Sequence, residues 1–160
     1  MTEYYGEKLK KGQEYQDFIS DELRKRGIIL GVYSSQKYQK EKGESCSGIE
    51  IKHDMRMAET QNIYIETEEK PDKLCPKWSP GSIYRDKKSW GLIIGDYDRA
   101  FLFSIKQLRH VCGRSDAELA KDGIRRVETE TSKAVLLPIE TYVKKTTIAL
   151  LSFDFKEMVD

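Results

Sequence analysis

Apolar residues recur along this chain in two rhythms, one helical and one alternating. Across 12–26, GQEYQDFISDELRKR, Tyr15, Phe18, Ile19 and Leu23 share one helical stripe with Glu22, and Gly27 supplies a stop. IILGVYSS, 28–35, predicts a first strand, and the polar stretch 36–47 predicts a loop. Two alternating runs follow, GIEIKHD at 48–54 and NIYIETEE at 62–69, and a hairpin-sized separation predicts that they pair. Three prolines and a Pro80-Gly81 turn make 70–82 irregular. A hairpin is expected from WGLIIG and AFLFSI around DYDR, with Trp90 and both apolar runs in the core. KQLRHVC predicts a short helix, and Ser115 with Glu118 three residues on reads as a capping box for another. GIRRVETETSKAVLLP predicts a second hairpin closing on Pro138, and 139–151 a last helix. The order of elements implies an α/β (α+β) domain, with helices flanking one mixed central sheet.

A length of 160 residues suits a single domain over 1–160, with one core. With 38% hydrophobic and 34% charged residues the chain is globular in composition, with no like-charge block suggesting a disordered tail. The net charge of +1 selects no partner, so a nucleic-acid site would have to be a local basic patch. No apolar run reaches the ~18 residues of a membrane span, and the first residues lack the apolar region of a signal peptide. Cys46, Cys75 and Cys112 make an odd set without a CxxC pair, which fits reduced thiols in a cytoplasmic protein. With His53 and His110 they lack zinc-ligand spacing, and no P-loop, GxGxxG or GxSxG motif is present.

The alternating runs carry the candidate chemistry. On the first, Ile49, Ile51 and His53 oppose Glu50, Lys52 and Asp54; on the second, Ile63, Ile65 and Thr67 oppose Tyr64, Glu66 and Glu68. Like charges on one face cost free energy unless water or a cation neutralises them. Carboxylates on adjacent strands are hard oxygen donors of the kind Mg²⁺ accepts while keeping several waters. The plainer alternative is an exposed sheet face, with Lys52 offsetting its neighbours.

Asp54 followed by Glu66-Thr67-Glu68 resembles the PD-(D/E)XK nuclease superfamily, whose pattern is an Asp ending one strand and a [DE]-x-[K/E] tripeptide on the next. The first helix is similar too, with Tyr15, Ile19, Leu23 and Gly27 in register and Gln16 where an acid often stands. The resemblance covers about 12–70 and implies a restriction endonuclease-like fold. It implies a Mg²⁺- or Mn²⁺-dependent nuclease acting on nucleic acid, with DNA the expected polymer. Asp54 and Glu66 would hold the metal, Glu68 would orient or activate the attacking water, and Lys52 or Lys70 would stabilise charge. Gln16 would contribute through a water. Because Glu68 and Gln16 depart from the usual residues, the alternative is an inactive domain of the same fold that binds nucleic acid or a protein partner. The string from GES to ETEEK is also similar to phage or bacterial proteins placed in this fold.

A nuclease needs cations and stacking groups beside its metal. Residues 70–88 hold Lys70, Lys73, Lys77, Arg85, Lys87 and Lys88 against Asp72 and Asp86, with Trp78 and Tyr84 interleaved. Lysine and arginine with aromatics suit phosphate contact and base stacking. Lys37, Lys40 and Lys42 form a second basic run that reads as a solvated loop. Cutting both strands of a duplex would favour a homodimer.

Overall fold

The computed structural model describes residues 3–30, 48–85 and 88–153. The strand expected at 28–35 is absent over 28–30, and its remainder lies outside the described residues, as do the 36–47 loop, Cys46 and Lys87.

The first helix, α1, runs Glu3–Lys25 and starts well before residue 12. Residues 6–14 are exposed on every side, so glutamate, lysine and leucine sustain these turns by propensity, despite Gly6 and Gly12. The next turns are held by packing. Tyr15, Ile19 and Leu23 are buried against Leu30, Ile51, Ile93, Ala100 and Phe153, each contributing roughly 1.5–3 kcal/mol. The Tyr15 hydroxyl donates to the Asp96 carbonyl at 3.0 Å. Gly27, at φ +79, ends the helix as its sequence position predicts.

Two four-stranded sheets replace the single sheet expected. The first has the order β1-β4-β5-β8, built from β1 (Ile49–His53), β4 (Gly91–Gly95), β5 (Arg99–Ser104) and β8 (Ala149–Ser152). The second has the order β3-β2-β7-β6, from β3 (Ser79–Pro80), β2 (Asn62–Glu69), β7 (Ser132–Pro138) and β6 (Arg125–Glu128). β1 therefore pairs with β4, in parallel, and not with β2. The turn Met57–Thr60 lies between them, and its Met57 is fully buried and pulls the chain into the core. The two predicted hairpins, β4–β5 and β6–β7, are both present.

The main core joins the facing sides of the two sheets. Ile63, Ile65, Val135 and Leu137 meet Leu92, Ile94, Phe101 and Phe103. Trp90 stays out of it and is 51% exposed, because it precedes β4 and lies over Gly48 at the start of β1. Ser104 caps the helix Ile105–Cys112, and Ser115 forms the full capping box with Glu118 on Asp116–Lys121. The helix expected over 139–151 is a π-helical turn, Ile139–Val143, and a short turn to Thr146, followed by β8. β-Branched Thr146, Thr147 and Ile148 favour extended backbone, and the open edge of β5 offers a partner.

Candidate active site cleft

Although β1 and β2 belong to different sheets, they meet at one place. The Asp54 carboxylate accepts the Tyr64 backbone N–H at 3.0 Å and the Arg56 N–H at 3.1 Å. A side chain thus supplies what a neighbouring strand would have given the open edge of β2. The junction opens into a cleft of about 410 Å³. Lys52, Asp54, Arg56, Tyr64 and Glu66 give it polar walls, and Ile65, Ile83, Leu92 and Ile94 an apolar floor.

The register of β2 against β7 decides which acids share a face. Ile63 and Ile65 pair with Leu137 and Val135, and Tyr64 and Glu66 with Leu136 and Ala134. The register then shifts, so that Glu68 faces Lys133 and Glu69 faces Ser132. Thr67 is the extra residue of a β-bulge, which reverses the alternation beyond it. Glu69 consequently joins Glu66, whereas Glu68 turns to the other side and pairs with Lys133 at 2.9 Å. The expectation of Tyr64, Glu66 and Glu68 on one face is thereby corrected. Gly81 packs against the bulge and donates its N–H to the Thr67 carbonyl at 2.7 Å.

Glu66 stands at the end of a hydroxyl relay. Ser132 Oγ donates to Glu66 Oε2 at 2.9 Å and lies 2.6 Å from the Tyr64 hydroxyl. Ser132 has one proton and gives it to the carboxylate, so Tyr64 must donate to Ser132. Burial pushes the Glu66 carboxyl above its ordinary range; Lys52 opposes this, and a hydrogen bond with the Glu69 carboxyl adds to it. Asp54 is raised by burial too, against the two backbone N–H groups that favour its charge. Lys52 lies 3.8 Å from Glu50, whose side chain is 7% exposed.

The raised Glu66 value has a consequence for stability. A carboxyl whose folded value exceeds its unfolded one opposes folding when ionised, and the penalty disappears as pH falls through the raised value. Glu66→Gln should therefore melt above wild type at pH 7–8, with the gap closing towards pH 4 in thermal melts. A wild type more stable than the variant at pH 7 would mean that Lys52 and Ser132 outweigh burial.

Of the other sequence-predicted residues, Lys70 lies over the Trp78 ring and away from the cleft. Gln16 is on α1, which packs on the Ile51 side of β1, and it does not line the cleft. Arg85 pairs with Glu69; Lys73, Lys77 and Lys88 are exposed, and Trp78 is half-buried. Burial pushes the Cys112 thiol up to about 11, so it is no nucleophile at neutral pH. Sequence reasoning missed the relay serine Ser132 and the acid Glu69, and placed Glu50 on the charged face without a role. Glu50-Ile51-Lys52 was visible as an acid-x-lysine tripeptide, and its alternation with Ile49 and Ile51 was the available signal.

Compared with protein-family models, curated proteins and solved structures, the chain matches none. No helix among the described residues is long and apolar enough to cross a membrane.

Proposed function

We propose that the cleft hydrolyses phosphodiester bonds of nucleic acid, DNA foremost, with a divalent metal ion. The observation that carries this reading is the position of Lys52. It belongs to an acid-x-lysine tripeptide on β1 and lines one cleft with Asp54 and the half-buried Glu66 of β2, whose ionised form its charge favours. The tripeptide supplies the lysine that Glu66-Thr67-Glu68 lacks, although it stands before Asp54 and not on the strand after it.

The donors fit Mg²⁺ in kind. Among the described residues no three His, Cys, Asp or Glu side chains form a metal-holding group. Mg²⁺, however, is held by one or two carboxylates together with waters and substrate phosphate. Glu66 is the principal candidate ligand. Asp54 already spends one lone pair of each oxygen on backbone N–H groups, so it would add a ligand without moving. The chemistry such an ion supplies is activation of a water and stabilisation of charge at phosphorus. Lys52 places an ammonium where negative charge grows on the phosphate, and the Tyr64–Ser132 relay keeps Glu66 from rotating. The apolar floor lowers the local dielectric and strengthens both effects.

Purified protein incubated with supercoiled plasmid and labelled oligonucleotides should cleave in Mg²⁺ or Mn²⁺ and stop in chelator. Glu66→Gln should bind substrate and leave it uncut. Absence of cleavage, with no metal-dependent thermal shift, would sink the proposal. The inactive binding domain would then stand, favoured by the engagement of Asp54 with backbone and of Glu68 with Lys133.

Because Glu68 turns away from Glu66, Glu68→Gln should leave the cleavage rate at saturating substrate close to wild type. A large gain or a complete loss in a plasmid-nicking assay would return Glu68 to the chemistry.

A further inference from the structure

The bulge that turns Glu68 away also builds a second feature. Lys70 Nζ lies 4.6 Å and Lys133 Nζ 4.5 Å from the Trp78 ring centroid. One lysine comes from the end of β2 and the other from the start of β7, while Trp78 precedes β3. Among the described residues, Glu68 is the one carboxylate in an ion pair with either lysine. Lys73, Lys77 and Leu74 are exposed on the same segment, Leu74 at 85%. Two lysines thus cover a half-buried indole, with Lys73 and Lys77 exposed on the segment that carries it.

We infer that Trp78, Lys70 and Lys133 form a contact site for an unpaired stretch of nucleic-acid strand, on the face of the second sheet that Lys133 shares with Glu68. This rests on the nuclease reading and specifies its substrate. A cation–π contact that water still reaches is weak, so a nucleobase can displace one ammonium from the indole face while that ammonium moves to phosphate. Stacking on an aromatic face needs a base whose own face is free, and an intact duplex hides those faces except at its ends. The substrate class is therefore a nucleic acid with unpaired residues.

The test is indole fluorescence in chelator, in a Trp90→Phe background so that Trp78 is the sole reporter. A single-stranded thymidine 20-mer should quench the signal, and the same strand annealed to its complement should not. Trp78→Leu should weaken single-strand binding about 5- to 150-fold, the range of one lost base stack, whereas Trp78→Phe should retain most of it. Lys70→Ala, which leaves the Glu68–Lys133 pair intact, should weaken binding and flatten its salt dependence. Equal quenching by duplex, or wild-type affinity in Trp78→Leu, would overturn the inference. Cleavage is not read in this assay. A wild type that cleaves without quenching sinks the indole site alone, and one that quenches but never cleaves sinks the nuclease alone.

Discussion

Lys52→Met should lose about 10²–10³-fold in metal-dependent cleavage while binding single-stranded DNA in chelator nearly as well as wild type. The magnitude is that of removing one preorganised group which meets charge developing in the transition state. Methionine keeps the stem and its packing but takes away the ammonium near Glu50 and Glu66. The buried Glu50 then loses a partner, so some stability will be lost as well. A melt recorded on the same sample separates the effects: a folded variant that no longer cuts places Lys52 in the chemistry. Cleavage above a tenth of wild type by that folded variant would remove Lys52 from it, and the assignment of the cleft with it.

Gly81→Ala should be strongly destabilising for the addition of a single methyl group. A Cβ at 81 would stand 2.4 Å from the Glu66 carbonyl oxygen and 2.8 Å from the carbonyl carbons of Glu66 and Thr67. All three are backbone atoms that no rotamer change can move. Relief requires either opening the bulge or lifting the turn Ser82–Arg85, which carries the buried Ile83. Overpacking of this kind costs about 3 kcal/mol, which for a domain of this size is a melting-point drop of roughly 6–12 °C. Glu66 moves with the bulge, so cleavage should fall further than stability alone explains. Gly12→Ala is the control. Nothing lies within 4 Å of a Cβ there, and an exposed helix interior should gain about 0.5–1 kcal/mol. Equal melting temperatures for the two alanine variants would show that the bulge yields without cost.

The sequence by itself determined the local elements. α1 and its buried stripe of Tyr15, Ile19 and Leu23, the β4–β5 and β6–β7 hairpins, and the Ser115–Glu118 capping box were all legible. Each depends on residues within about one turn or one hairpin of one another, so periodicity and caps carry the information. The alternation of β1 was legible as well, with Ile51 buried towards α1 and Lys52 facing the cleft. Only the tertiary structure decided that β1 and β2 belong to different sheets. The spacing of Asp54 and Glu66 fits a hairpin, but burial of Met57 and parallel pairing with β4 took β1 elsewhere. The bulge at Thr67 was equally invisible, because its partner is Gly81, fourteen positions further along, which packs on it and bonds to its carbonyl. One extra residue in a strand exchanges the faces of everything beyond it. For that reason Glu69 stands beside Glu66, and Glu68 beside Lys133, in a strand whose sequence alternates without a break.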